Sequence, residues 1–64
     1  MNMLWVKKRV YLEGRDELAL ARSIGTFEAA LRARSGTILK LQHQPSMSSR
    51  RVAKISYTLP IQQN

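Results

Sequence analysis

The stretch MLWVKKRVYL, residues 3–12, decides the fold. A strand here gives a mixed α and β domain, whereas a helix here would give the helical segment that follows a second helix to pack against. One parity along it holds Leu4, Val6, Val10 and Leu12, and the other holds Trp5, Lys7, Arg9 and Tyr11. This alternation is typical of a half-buried strand, with Lys8 as the one misfit on the apolar side. A helix is the alternative, but it works against the β-propensity of valine, tryptophan and tyrosine. We therefore predict a strand over residues 3–12.

A helical segment follows, with the sequence LARSIGTFEAALRARSG at residues 20–36. Its apolar positions are Leu20, Ile24, Phe27 and Leu31. These four side chains fall within roughly 60° of one another on a helical wheel, which indicates a helix that faces a core. Asp16 is suited to cap its start, and Gly36 to stop it. We predict a helix over residues 16–34, and leave open whether it bends or breaks at Gly25, a residue that costs about 1 kcal/mol relative to alanine.

Two short helices joined by a turn at Gly25 are the alternative, with Thr26 as the cap of the second helix. In that arrangement Ala21 is the small residue between the helices, and Leu31 is an apolar position of the second helix. Residues 17–34, together with the C-terminal hairpin predicted below, then resemble the helix-turn-helix of the Cro-type phage repressors. The chain departs from that pattern at Arg34, where the family usually has an apolar residue, and in the predicted strand where the motif needs a helix.

The resemblance implies a small basic DNA-binding dimer whose second helix enters the major groove. Glu28, Ala29 and Arg32 would then face the base edges, with Arg32 suited to guanine and Glu28 to cytosine. A simpler alternative is an ordinary surface ion pair between Glu28 and Arg32, which are four residues apart.

Two further strands are predicted, TILKLQH at residues 37–43 and RVAKISYTL at residues 51–59. Pro45 and the run QPSMSSRR mark a loop between them, which permits an antiparallel hairpin. We expect Pro60 to end the ordered chain and residues 60–64 to form a disordered tail. The predicted fold class is therefore α+β, a single small domain over residues 1–64 with the order strand, helix, strand, strand and a C-terminal antiparallel hairpin.

The composition indicates a polyanionic partner. Eleven basic residues, seven of them arginine, stand against four acidic ones in 64 residues, for a net charge of +7. Such charge on a small domain favours nucleic acid, or alternatively an acidic protein surface. The chain is also short enough to bury only about 60% of its unfolded surface, and it has no cysteine to form a disulfide. We therefore expect self-association, most simply as a symmetric dimer.

Eight basic residues are predicted to contact phosphates. They are Lys7 and Arg9 on the first strand, Arg15, Arg22 and Arg32 before and within the helix, and Arg50, Arg51 and Lys54 at the hairpin. Trp5 and Tyr11 are interleaved with the first pair, as expected of rings that stack bases beside cations. Burial of both rings by a second subunit is the alternative for Trp5 and Tyr11, and a solvated surface is the alternative for the remaining cations.

No enzymatic activity is expected. His43 is the only histidine, and neither a paired carboxylate nor a second base is evident beside it, although Arg50 or Arg51 lies across the hairpin. The sequence predicts no metal and no cofactor, since it lacks a metal-ligand cluster and a glycine-rich phosphate loop. No apolar run approaches the roughly 20 residues of a membrane span, and the N-terminal charges have the wrong order for a secretory signal. We expect a cytoplasmic protein with no membrane association.

These observations predict a small basic nucleic-acid-binding protein, oligomeric and of the phage or plasmid regulator type, that binds through arginine and lysine contacts to phosphates. The alternative is a non-enzymatic protein-binding module, an inhibitor or assembly factor, that docks a basic face on an acidic partner. Trp5 and Tyr11 would then be the anchors of that interface.

Overall fold

A computed structural model describes residues 2–45 and 50–63 of the chain. Its elements in chain order are β1 (Asn2–Gly14), α1 (Glu17–Ala33), β2 (Thr37–Gln44) and β3 (Arg51–Gln63). This order confirms the α+β fold class and the strand over residues 3–12. Residues 46–49 of the predicted loop and residue 64 of the predicted tail lie outside the described residues.

The three strands form one antiparallel sheet with the order β1-β3-β2. β2 and β3 are the predicted hairpin, and β1 pairs along the other side of β3 over its whole length. Ile55 therefore lies between Val10 of β1 and Leu41 of β2. The pairing of β2 is regular except for a register shift between Ile38 and Lys40. Because β3 is central, its side chains decide what each face of the sheet presents.

α1 is a single helix that runs through Gly25 without interruption. Asp16 caps it as predicted, since its Oδ1 accepts a hydrogen bond from the Ala19 N–H at 2.8 Å. Gly25 is exposed, and a Cβ at this position would meet no atom within 4 Å. Packing of the apolar stripe outweighs the small helix-propensity cost of one solvent-facing glycine. This corrects the alternative of two helices joined by a turn.

The end of α1 differs in detail from the prediction. Ser35, not Gly36, adopts the left-handed conformation, with φ 62°, and its N–H donates to the Arg32 carbonyl. The Gly36 N–H donates to the Leu31 carbonyl at 2.9 Å, which completes a Schellman motif. A Cβ on Gly36 would overlap the side chains of Leu31 and Leu59. Gly36 is therefore required by close packing rather than by its φ angle.

α1 covers one face of the sheet and forms the core there. The buried apolar side chains are Leu20 and Leu31 of α1 with Ala53, Ile55 and Leu59 of β3. The Phe27 ring packs edge-on against Tyr57, with 5.0 Å between ring centroids. The predicted stripe on α1 and the predicted alternation in β3 therefore meet in one core.

Residues 60–63 continue β3 and pair with the first residues of β1, which corrects the predicted tail. Pro60 lies opposite Trp5 in this pairing. A proline has no N–H to donate, but it is tolerated in a strand where that position faces away from the ladder. β2 begins its pairing at Thr37 opposite Thr58, so the far edge of β3 is open at Pro60. Pro60 therefore does not end β3, because β2 does not extend to this position.

Candidate nucleic-acid interface

The face of the sheet opposite α1, called here the open face, carries the candidate site. Phe27 of α1 contacts Tyr57, so the odd-numbered side chains of β3 point toward the helix. Successive side chains of a strand point to opposite faces, and directly paired residues share a face. The open face therefore holds Lys54, Ser56 and Thr58 of β3 together with their partners on β1 and β2. No described helix covers it.

Rows of paired residues bring cations from all three strands onto the open face. Arg9 of β1 lies opposite Ser56, and Ser56 lies opposite Lys40 of β2. In the next row Lys54 lies between Tyr11 and Gln42. Ser56, a small residue, therefore lies between Arg9 and Lys40, and Lys54 is the cation of the central strand.

Lys7 extends this arrangement by one more row, opposite Thr58. The Thr58 hydroxyl donates to the Val6 carbonyl at 3.0 Å, so it is used within the sheet. Four cations therefore face the same side of the molecule: Lys7, Arg9, Lys40 and Lys54.

Two aromatic rings lie among these cations. Trp5 and Tyr11 share the parity of Lys7 and Arg9, and their exposed fractions are 55% and 57%. Rings of this size usually bury most of their surface in a folded domain, so two half-exposed rings on one face are notable. Trp5, Lys7, Arg9 and Tyr11 therefore lie on one surface, as the alternation along β1 predicted.

Negative charge is nearly absent from the open face. Glu13 lies at the end where β1 meets the turn to α1, and its Oε2 is 3.9 Å from Arg50. The other three acidic residues of the chain are Asp16 at the helix cap and Glu17 and Glu28 within α1. The charge of the open face is consequently positive across its centre.

The remaining predicted cations lie elsewhere, so the eight do not form one site. Arg22 and Arg32 are exposed on α1, on the other side of the sheet. The Arg32 guanidinium is 3.7 Å from the Glu28 carboxylate, which is the surface ion pair given above as the simpler alternative. Arg15 lies in the turn before α1.

Lys40 is the member of the open face that the sequence interpretation missed. Simple alternation in residues 37–43 does not assign it to a face, because the register shift between Ile38 and Lys40 interrupts the period of two. Its pairing with Ser56 places it beside Arg9. An extra residue in one strand leaves no reliable signal in the sequence, so only the register identifies Lys40.

A second concave feature lies on the other side, between α1 and the edge of β2. This cleft of about 560 Å³ has an apolar floor that includes Leu20, Ile24 and Leu41. Glu17, His43, Gln44 and Arg51 are among its other lining residues. The hairpin thus brings Arg51 to the same cleft as His43, as the sequence suggested, and α1 adds a carboxylate that the sequence did not.

Two further features of the described residues bear on ligand classes. Within residues 2–45 and 50–63, no group of three or more histidine and acidic side chains is arranged to hold a metal ion. In the same part of the chain, no helix has both the length and the apolar character needed to cross a membrane.

Comparison of the chain with known protein families, with curated proteins and with solved structures gives no match. The resemblance to Cro-type repressors therefore stays a sequence-based prediction.

Proposed function

We propose that this protein is a small basic nucleic-acid-binding protein that contacts its ligand through the open face. A single observation carries the proposal: one uncovered sheet face combines four cations from three strands with two half-exposed aromatic rings. The one acidic residue of that face, Glu13, lies at its end beside Arg50. A surface that only kept the protein soluble would not need its aromatic rings exposed among the cations.

Phosphate neutralisation supplies the first part of the binding free energy. Each lysine or arginine that meets a phosphate releases condensed counterions, so affinity falls as the salt concentration rises. Four contacts from Lys7, Arg9, Lys40 and Lys54 predict a slope of about −3 in a plot of log K against log salt for a single strand.

Base stacking supplies the second part and favours a single-stranded ligand. Bases in a duplex are stacked on one another, whereas bases of a single strand can lie on exposed rings. Stacking on an aromatic side chain contributes about 1–3 kcal/mol per base. α1 lies behind the sheet, so the open face has no helix to place in a major groove. We therefore expect single strands to bind more tightly than duplex of the same sequence.

The experiment is a salt titration of binding to single-stranded and duplex oligonucleotides, by fluorescence anisotropy, with a pair of matched variants. Lys7→Gln combined with Lys54→Gln removes two cations of the open face. We expect the salt slope to fall by about 1.4, at about 0.7 per phosphate contact. Arg22→Gln combined with Arg15→Gln removes the same charge outside the open face, and we expect the slope to change much less.

Three outcomes would overturn the proposal or redirect it. Absence of binding at low salt rejects a nucleic-acid ligand and leaves an acidic protein as the partner of the basic surface. Equal losses in the two double variants show that net charge, not the open face, determines binding. Tighter binding to duplex than to single strands contradicts stacking on Trp5 and Tyr11.

A further inference from the structure

One end of the sheet consists of only two strands. Residues 2–5 of β1 pair with residues 60–63 of β3, whereas β2 pairs with β3 only as far as Thr58. On the α1 side of this two-stranded end, Leu4 and Ile61 are directly paired and remain 46% and 41% exposed. A two-stranded ribbon with apolar side chains in water is marginal without further packing. Something is therefore expected to cover this end.

The two-stranded end is also uncharged. Residues 2–6 and 58–63 contain no charged side chain, although the chain has 15 charged residues in all. Met3 and Trp5 lie on its open face, and both are more than half exposed. Residues 7–9, immediately after it, are Lys-Lys-Arg. An apolar patch thus adjoins a strongly basic one on the same strand.

The free edges of the sheet differ in how they are protected against pairing. Lysines on an edge, and bulges within it, are the usual devices that prevent strand addition. The edge of β2 has a register shift before Lys40, and the open edge of β3 has Pro60, which cannot donate a hydrogen bond. The edge of β1 has Lys7, Lys8 and Arg9 in its middle but neither a charge nor a proline in residues 2–6. Residues 41–44 of β2 also lack charge and proline, but Gln42, His43 and Gln44 make that edge polar. Residues 2–6 are the uncharged edge segment that is mostly apolar, and they are called here the unprotected edge.

We propose that a second copy of this chain pairs with the unprotected edge, β1 against β1, antiparallel about a two-fold axis at Leu4. In an antiparallel symmetric pair centred on residue 4, residue 2 lies opposite 6, 3 opposite 5, and 4 opposite itself. This register uses the whole uncharged segment and keeps Lys7 of each copy outside the pairing. A centre at residue 5 or 6 would place Lys7 opposite Met3 or Trp5 of the other copy and bring the two basic runs closer together, which like-charge repulsion disfavours.

The same register gives complementary side-chain contacts. Met3 of each copy lies opposite Trp5 of the other on the open face, an arrangement that favours contact between the sulfur and the ring. Leu4 meets its symmetry mate on the α1 side, next to Ile61. Met3, Leu4 and Trp5 thereby each lose part of their exposed surface to the second copy, while Tyr11 and the four cations of each copy stay outside the contact.

The two-fold axis stands perpendicular to the sheet, so both open faces lie on one side of a continuous six-stranded sheet. The strand order is β2-β3-β1-β1-β3-β2, with the two Trp5 rings near the centre and the cations of each copy flanking them. The inference does not depend on nucleic-acid binding, because it concerns the edge of β1 and not the ligand of the open face.

Disulfide trapping tests the register. Leu4→Cys introduces the only cysteine of the chain, and directly opposed residues have Cα atoms about 4.5–5.5 Å apart, within the range of a disulfide. We expect mild oxidation to convert most of this variant into a cross-linked dimer. Leu39→Cys is the matched control, since Leu39 is an exposed leucine on the opposite edge, and we expect it to cross-link far more slowly. Equal cross-linking of the two variants, or faster cross-linking of Leu39→Cys, would overturn the proposal.

Sedimentation equilibrium without nucleic acid tests the dimer itself. We expect the unmodified chain to give twice its 7.3 kDa mass at micromolar concentrations. Leu4→Lys should lose the dimer because it places two like charges opposite each other, and circular dichroism should show that its fold is kept. Leu39→Lys should retain the dimer. A monomer of the unmodified chain at all concentrations, or an unchanged dimer of Leu4→Lys, rejects the inference whether or not nucleic acid binds.

Discussion

The two faces of the sheet are built from alternate residues of the same strands, yet one face packs in the core and the other carries the charge. In β3, Ala53 and Ile55 have no exposed surface, while Lys54 and Ser56 beside them are only partly covered. α1 buries the first pair, and nothing in the described chain covers the second. Because alternation assigns stability to one face and charge to the other, a substitution should affect one property and leave the other nearly unchanged. Each prediction below measures how complete this separation is.

The largest effect is expected at the centre of the covered face. Ile55→Ala removes the largest fully buried side chain and should lower the free energy of unfolding by about 2–5 kcal/mol. A domain this small has little more stability than that, so we expect a largely unfolded protein by circular dichroism.

Ser56→Ala, one residue further along β3 and on the open face, is the matched control for Ile55→Ala. We expect it to change the free energy of unfolding by no more than about 0.5 kcal/mol. If urea unfolding shows similar losses for both variants, the open face is also a buried surface, and the comparison of the two faces fails.

A smaller loss is expected at Gly14, where the first turn of α1 lies against the end of β1. Gly14 is buried, and a Cβ there would overlap the backbone of Ala19 and Leu20 in the first turn of α1. Gly14→Ala must push the helix away from β1, at a cost of about 1–3 kcal/mol in a thermal unfolding measurement. Unchanged stability would mean that α1 does not sit this close to the sheet, and that the covered face is less tightly covered than described.

The smallest effect, and the only gain, is expected on the solvent side of the helix. Gly25→Ala meets no atom and removes a flexible residue from the middle of α1, so it should stabilise the protein by about 1 kcal/mol. For a domain of this size that gain corresponds to a rise in melting temperature of about 4–8 °C. A lower melting temperature would instead indicate a turn at Gly25, as the two-helix alternative requires.

Local patterns in the sequence were sufficient to predict which helices and strands the chain forms and in what order. The alternation in residues 3–12 predicted β1, the cap at Asp16 predicted the start of α1, and the loop after His43 predicted the hairpin. Each of these signals is contained within a few consecutive residues. The predicted stripe on α1 was also sufficient to say which helix side is buried, because Leu20 and Leu31 are the buried residues of α1.

Relations between distant segments were not predictable in the same way. The sequence gives no rule for placing β1 next to β3, and that pairing extends β3 through residues 60–63 instead of ending it at Pro60. The tertiary structure also separates the predicted cations. Arg22 and Arg32 lie on α1, whereas Lys7 and Lys54 lie on the open face, on the other side of the sheet. Lys40 joins the open face only through the register shift in β2.

The sequence by itself therefore determined the α+β order, the surplus of positive charge, and the alternation of Trp5, Lys7, Arg9 and Tyr11 with apolar residues. Periodicity and charge are properties of neighbouring residues, and local chemistry suffices to read them. Only the tertiary structure decided which cations share a surface, which glycines are required by contact, and which end of the sheet is left uncharged and uncovered. The shared surface and the uncovered end depend on strand order and register, because β1 and β3 pair across distant positions such as Lys7 and Thr58. The glycine contacts depend on how closely α1 packs against the residues beside it.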